Sequence, residues 1–144
     1  MAIGAAMLVA AMVVLEIAPG LAAYVDAVSL DQVVRALVDH VQAEARRDRP
    51  VTLRATRQSG DVVIDLLYDG TRSEAELREL FEPFGSRESA ETGRPTTLAL
   101  YVVRRLVEAH GGRAAAARDG EQLRVRIALR ALRPTADLPV RTPA

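Results

Sequence analysis

The sequence predicts an α+β fold, a two-layer sandwich in which helices cover one face of a mixed, mostly antiparallel sheet. Two long segments carry apolar residues at three- and four-residue spacing, which is typical of amphipathic helices. Two other regions place strand-like segments on either side of a glycine-containing turn, which is typical of β-hairpins. Because hairpins make neighbouring strands antiparallel, we expect the helices to pack together on one face of the sheet.

The length and composition favour one domain. A chain of 144 residues is long enough for one hydrophobic core and too short for two ordinary domains. We expect a domain over residues 1–132 and a Pro-rich disordered tail over residues 133–144. The 19 basic residues, all Arg, balance 19 acidic ones, so no nucleic-acid or membrane partner is indicated. The absence of Cys excludes disulfides and thiolate chemistry, and fits a cytoplasmic protein.

An apolar segment, Met1–Leu15, opens the chain. Glu16 interrupts it, which leaves it shorter than the roughly 18 to 20 apolar residues that span a bilayer, and no basic residue precedes it. We interpret it as core, with a helix over Ala2–Ala11 and a short core strand over Met12–Ile17. A secretory hydrophobic region and a remnant of a longer chain are the alternatives.

The first long helix and the first hairpin follow. Ser29 or Asp31 can cap the helix, whose apolar periodicity continues to about Arg47. The hairpin has its strands over Val51–Arg57 and Val62–Tyr68, separated by a turn that contains glycine.

A short helix, a loop and the second long helix come next. We expect the short helix over Glu74–Phe81 and a mobile loop over Glu82–Pro95, where Pro, Gly, Ser and Thr show no periodicity. Thr96 or Thr97 begins the long helix, which ends at the glycine pair 111–112.

The closing hairpin has the clearest alternation in the chain. Its first strand covers Arg113–Arg118, the turn lies at Asp119-Gly120, and Leu123–Leu129 forms the second strand. Apolar residues alternate there with Arg and Ala, so one face of this strand belongs to the core.

Two strings of residues resemble motifs of a known family. Phe81–Phe84 reads FEPF and resembles an F box, and Val103–Gly112 reads VRRLVEAHGG and resembles the helix and turn after a second glycine box. In this order, they resemble the catalytic and ATP-binding domain of sensor histidine kinases, whose fold is shared with gyrase B and the MutL ATPases. The resemblance covers nearly the whole chain and implies sites for adenine, Mg²⁺ and a triphosphate.

The residues that hold Mg²⁺ in this family are two Asn side chains four positions apart on one helix face. Asp39 and Ala43 stand at the matching positions, and the chain contains no Asn. Ala cannot ligate a metal, so we expect no metal site, although Asp39 alone can attract Mg²⁺. Arg46 matches a basic residue near the phosphates, and a solvated helix end explains it equally well.

The first glycine box of the family reads Asp-x-Gly-x-Gly, and its Asp binds the adenine amino group. Anchoring the match on Gly70 places Tyr68 at that Asp and Arg72 at the second Gly. Losing a charge-assisted hydrogen bond of this kind costs about 1.5 to 3 kcal/mol. Asp69 can restore the contact if the strand end shifts, and otherwise it is a turn residue.

The second glycine box lets backbone amides at a helix N-terminus approach the phosphates. Here the matching residues are Thr97–Leu100, with no glycine among them. Thr96 and Thr97 can still donate hydroxyl groups, or serve simply as helix caps. We therefore expect no cofactor. If nucleotide binding survives, with ATP and Mg²⁺ as the alternative, its candidate residues are Asp39, Arg46, Asp69, Gly70, Thr96 and Thr97.

The two histidines give no catalytic site. His110 lies in the string at the end of the second long helix, where a structural role is favoured. His40 lacks the sequence that surrounds a kinase phosphoacceptor, and there is no triad or metal-ligand spacing. We predict no catalytic residue.

Three hypotheses for function remain. The first is a degenerate, non-catalytic signalling module that binds a kinase, a response regulator or a regulatory factor through Phe81, Pro83 and Phe84, unless these phenylalanines pack onto the core. The second is residual ATP binding with phosphotransfer in trans. The third is a fragment of a larger sensor kinase. A homodimer is also open.

Overall fold

The computed structural model describes residues 13–83 and 98–132. The strands are β1 (Val13–Ile17), β2 (Val51–Gln58), β3 (Asp61–Tyr68), β4 (Arg113–Asp119) and β5 (Gln122–Arg130), and the helices are α1 (Ala27–Glu44), α2 (Glu74–Arg78) and α3 (Ala99–Ala109). The five strands form one sheet in the order β1-β2-β3-β5-β4. β1 runs parallel to β2, and the other neighbours are antiparallel. The predicted α+β sandwich with a mixed, mostly antiparallel sheet is confirmed.

Both hairpins and both long helices lie where the sequence predicts them, within a few residues. Several other predictions fall outside the described residues: the helix at Ala2–Ala11, most of the loop Glu82–Pro95, the helix start at Thr96 or Thr97, and the tail over residues 133–144.

The start of α1 differs from the prediction. Asp26, and neither Ser29 nor Asp31, caps the helix, because one carboxylate oxygen of Asp26 accepts from the Ser29 N–H at 2.8 Å. The other oxygen accepts from the Ser29 hydroxyl, also at 2.8 Å. Ser29 therefore belongs to the first turn. The helix also ends at Glu44, before Arg47, since the Arg46 N–H bonds to the Asp69 carbonyl at 2.9 Å and draws the chain toward the end of β3.

The core lies between the sheet and the helices. Alternate residues of β5 point into it and are at most 2% exposed, which confirms the alternation of the closing hairpin. The helices contribute apolar residues at helical spacing. The core includes Leu66, Tyr68, Leu123, Val125, Ile127 and Leu129 from the sheet and Val33, Leu37, Leu77, Leu100, Val103 and Val107 from the helices. Burying each such aliphatic side chain stabilises the fold by roughly 1.5–3 kcal/mol.

The glycine pair 111–112 ends α3 as predicted. Gly111 has φ of 77°, a conformation that side-chain-bearing residues rarely adopt. The Gly112 N–H returns to the Val107 carbonyl at 2.9 Å, and a Cβ at Gly112 would collide with the Ala128 carbonyl.

The prediction that β1 is a core strand is wrong. β1 lies at the edge of the sheet, and on the helix side its three residues Val13, Leu15 and Ile17 are 58%, 62% and 59% exposed. An apolar run without a helix-length period cannot distinguish a central strand from an edge strand, because that choice depends on the order of the strands.

The opposite face of the sheet carries a row of alternating charges. Glu16, Arg54, Asp65 and Arg126 stand side by side on β1, β2, β3 and β5. Arg54 binds Glu16 at 2.7 Å, and Arg126 binds both carboxylate oxygens of Asp65 at 2.7 and 2.8 Å. The nearly inaccessible Asp65 is thus neutralised within the sheet.

Candidate functional site

A cluster of polar side chains lies where the C-terminal half of α1 meets the end of β3 and the start of α2. His40 and Glu44 are one helical turn apart on α1, so both point in nearly the same direction. Tyr68 ends β3, and Arg72 lies in the link between β3 and α2. These residues form two contacts, one centred on Tyr68 and one on Arg72.

The first contact joins two buried aromatic groups. The His40 Nε2 and the Tyr68 hydroxyl are 2.6 Å apart, and the rings meet edge to face with centroids 5.5 Å apart. Tyr68 is 0% exposed and packs beside Leu123 in the core. Burial lowers the pKa of His40 to about 4. The negative charge of Glu44 acts to raise this pKa, and the positive charge of Arg72 acts to lower it. Burial also raises the pKa of Tyr68, so both groups are neutral at pH 7.

The second contact is a guanidinium held between two helices. Arg72 binds Glu44 of α1 through two hydrogen bonds, Nη2 to Oε1 at 2.6 Å and Nε to Oε2 at 3.2 Å. Its Nη1 lies 3.8 Å from Oε2 of Glu76 on α2. The Arg72 side chain is 8% exposed, so this ion pair is screened little by water. Arg118 of β4 also donates to the Arg72 carbonyl at 3.3 Å.

The local sequence explains how Arg72 is presented. Ser73 and Glu76 form a capping box at the start of α2, in which each side chain bonds the backbone N–H of the other. The box fixes the direction of α2 and places Glu76 beside Arg72. Gly70 fits between β3 and β5, because a Cβ there would lie 2.8 Å from Leu123 and 3.2 Å from Tyr68.

The predicted nucleotide contacts Asp39, Arg46 and Asp69 lie on α1 and in the segments that follow α1 and β3. Asp39 is exposed, and the exposed Arg46 lies 3.6 Å from Asp48. The carboxylate of Asp69 lies 3.6 Å from Arg49, at the loop that follows α1. Thr96 and Thr97 are outside the described residues, so the structure does not test a contact through them.

The predicted partner-binding residues divide into three cases. Phe81 is 5% exposed and belongs to the core. It therefore packs inward, as in the alternative stated above, and the prediction that Phe81 lies on an exposed contact surface is wrong. Pro83 is half-buried at the end of this segment. Phe84 lies outside the described residues.

The contacts of Glu44 and Glu76 were not predicted from the sequence, and His40 was considered only as a phosphoacceptor. Two signals were present. His40 and Glu44 each lie one residue after Asp39 and Ala43, and they interrupt the apolar face of α1. Polar residues on a buried face need hydrogen-bonding partners, so these two positions indicated a buried contact. The pattern Ser73-x-x-Glu76 is a capping box.

The fold agrees with the comparisons with known proteins. The sheet order and the helices on one face define an ATPase-type α/β sandwich. Residues 25–133, more than half of the chain, match the model of the histidine kinase-, DNA gyrase B-, and HSP90-like ATPase family. The chain belongs to this family, and the predicted resemblance is confirmed.

Solved histidine kinase structures are similar in fold. The catalytic domain of histidine kinase ThkA is 16% identical with a TM-score of 0.73, over 88% of this chain and 84% of that one. The mycobacterial sensor histidine kinase MprB is 20% identical with a TM-score of 0.70, over 86% and 83%. AdeS of Acinetobacter baumannii is 19% identical with a TM-score of 0.63, over 85% and 55%. Comparison with curated proteins finds no significant match.

Within residues 13–83 and 98–132, no helix has the length and apolar character needed to cross a membrane. The same part of the chain holds no group of three His, Asp or Glu residues arranged to bind a metal ion.

Proposed function

We propose that this chain is a degenerate member of its family that works without nucleotide, as a non-catalytic signalling module in two-component-type signal transduction. The observation that carries the proposal is the pairing of His40 with Tyr68 and of Glu44 with Arg72. In this proposal, protein side chains fill the region where relatives with intact motifs hold adenine.

The pairing supports the hypothesis that side-chain contacts replaced the nucleotide site better than the hypothesis that the motifs were lost one by one without selection. Tyr68 and Arg72 stand at the positions matched with the adenine-binding Asp and with a glycine. Each of these bulky polar residues is buried and meets a complementary group on α1. Independent loss of unused motifs would leave buried polar groups without partners, and these are costly.

The residues present do not fit Mg²⁺ and ATP. Ala43 offers no ligand atom, and Asp39 is a single exposed carboxylate where the family has two amides. The resemblance matches Tyr68 to the adenine-binding Asp, and the fully buried ring of Tyr68 is bulkier than that side chain. We therefore derive no phosphotransfer step for this chain.

A signalling module that does not bind nucleotide can act only by binding another molecule. We therefore propose a protein partner in the cytoplasm: a kinase, a response regulator or a regulatory factor. Pro83 and Phe84 remain the predicted contact, whereas Phe81 belongs to the core. The near-neutral composition argues against a nucleic-acid partner.

The test is nucleotide binding by calorimetry on the full chain, with ATP and ADP, in the presence and absence of millimolar Mg²⁺. We expect no binding heat above dilution. In a parallel melting experiment, a nucleotide present at 100 times its Kd would stabilise the protein by about 2.7 kcal/mol, equivalent to a Tm increase of roughly 9 °C. We expect no such increase.

A sensor kinase catalytic domain with intact Asn and glycine boxes serves as the positive control, and circular dichroism verifies that this protein is folded. Micromolar, Mg²⁺-dependent binding would overturn the proposal. It would favour the alternative of residual ATP binding, with phosphotransfer in trans or within a larger kinase.

A further inference from the structure

We propose that this protein forms a symmetric dimer in which β1 pairs antiparallel with β1 of a second copy and joins the two sheets into one. This inference rests on the edge of the sheet and is independent of whether the chain binds nucleotide. Three features of β1 support it: its exposed apolar face, the direction of its main-chain groups and its charge. One register is compatible with all three.

The helix-side face of β1 is apolar and exposed. Val13, Leu15 and Ile17 stand next to Val51, Leu53 and Ala55 of β2, yet each is about 60% exposed. An apolar stripe of this kind beside an open strand edge favours association. A second copy adds an identical stripe directly beside the first.

The main-chain groups of the same three residues point to the open edge. The Ala18 N–H donates to the Ala55 carbonyl at 3.0 Å, so the even-numbered residues of β1 face β2. Since successive residues of a strand alternate in direction, the N–H and C=O groups of Val13, Leu15 and Ile17 point away from β2. In the described part of the chain, β1 pairs with β2 alone.

One register satisfies all of these groups. With Leu15 opposite Leu15 of the second copy, Val13 stands opposite Ile17 on both sides of the two-fold axis. All three pairs are then of the hydrogen-bonded kind found in antiparallel sheets, with Cα atoms about 5.5 Å apart. Both copies keep their helices on the same face of the joined sheet, so the apolar stripes are continuous.

The charges also favour this register. Glu16 is the single charged residue of β1, and Arg54 neutralises it at 2.7 Å. In the proposed pairing, Glu16 stands opposite Val14, whereas a shift by two residues toward the end of the strand would place Glu16 opposite Glu16. Like charges directly opposite each other destabilise a sheet. The strand contains none of the Lys or Pro residues that commonly protect an edge.

The expected dimer is weak. A single five-residue strand pair buries less than the roughly 1,200 Å² of a standard stable interface. We expect light scattering after gel filtration to show a mass rising from the 15.6 kDa monomer toward twice that value as the concentration increases through the micromolar range. Leu15→Lys should raise the dissociation constant at least about tenfold.

Val102→Lys is the matched control, because Val102 is 47% exposed on α3, away from this edge. It should leave the dissociation constant unchanged, and circular dichroism verifies that both variants fold. A monomer at every concentration up to about 1 mM would overturn the proposal. That result is expected if residues 1–12 of the same chain, or another protein, cover β1 instead.

Disulfide formation tests the register, since the natural chain contains no Cys. Leu15→Cys should give a covalent dimer on mild oxidation, because a Cα separation near 5.5 Å suits a disulfide. Val13→Cys alone and Ile17→Cys alone should give little covalent dimer. A mixture of the two variants should form a covalent dimer that contains one copy of each. Equal crosslinking by all single variants, or none by Leu15→Cys, would contradict this register.

Discussion

Replacing Arg72 by Met tests whether the buried ion pair holds α1 and α2 together. The substitution removes the cation but keeps a side chain of similar length in the core. In the natural protein, the side chains of Glu44 and Glu76 are 20% and 5% exposed, and in the variant both lose the guanidinium between them. Removing one partner of a buried ion pair typically costs 3–5 kcal/mol, because the remaining charge is poorly solvated.

The exposure of Glu44 sets the expected magnitude. Water can partly solvate this carboxylate in the variant, so we expect Arg72→Met to cost about 3 kcal/mol. Glu44→Gln should cost less, about 1 kcal/mol, since Arg72 keeps one neutral hydrogen bond and the nearby Glu76. In a double-mutant cycle, the two side chains should show a coupling energy of about 1–2 kcal/mol.

The assay is urea unfolding at pH 7, followed by circular dichroism. The control is Arg35→Met, because Arg35 and Asp31 form an ion pair at 2.8 Å on the surface of α1, with side chains 77% and 60% exposed. An exposed pair of this kind contributes little to stability, because water screens the attraction between its charges. If Arg72→Met costs no more than Arg35→Met, the buried cluster does not hold the two helices and the reasoning fails.

Two further predictions concern the core and the pH dependence of stability. Phe81→Ala should destabilise the fold by about 3–5 kcal/mol, whereas Val102→Ala should change the free energy of unfolding by less than about 0.5 kcal/mol; similar urea midpoints for the two would contradict the core position of Phe81. His110 places one ring nitrogen 2.7 Å from the Leu106 carbonyl and the other 3.0 Å from Asp26, and these contacts raise its pKa, first through the carbonyl and then through the carboxylate. Because this pKa is raised in the folded state, the contacts of protonated His110 stabilise the fold fully below about pH 6.5. This stabilisation is lost as the pH rises through the folded-state pKa. Urea midpoints measured from pH 5.5 to 9 should therefore fall toward those of His110→Gln, and a constant difference between the two proteins would refute this.

Much of the fold could be predicted because it rests on local periodicity. Leu123–Leu129 alternates with period two, and the two long helices repeat at three to four residues, so their buried faces follow directly. The helix cap could not be located in this way. Asp26, Ser29 and Asp31 all have side chains able to cap a helix, and only the path of the chain before α1 distinguishes them.

The residue types of the candidate site could be read from the sequence, but its contacts could not. The absence of Asn from the chain and of Gly from Thr97–Leu100 is visible in the sequence alone. The pairing of Arg72 with Glu44 joins positions 28 residues apart, and that of His40 with Tyr68 spans the same separation. Such contacts exist only when α1 lies against the end of β3.

The sequence by itself determined most of the elements, the family and the absence of Asn, because each can be read from residue types and their spacing along the chain. Only the tertiary structure decided that β1 is an exposed edge, that Phe81 is buried and that Tyr68 and Arg72 meet partners on α1. The physical reason is the same for all three. Burial and pairing depend on which elements pack side by side, and that arrangement minimises the free energy of the whole chain rather than of any one segment.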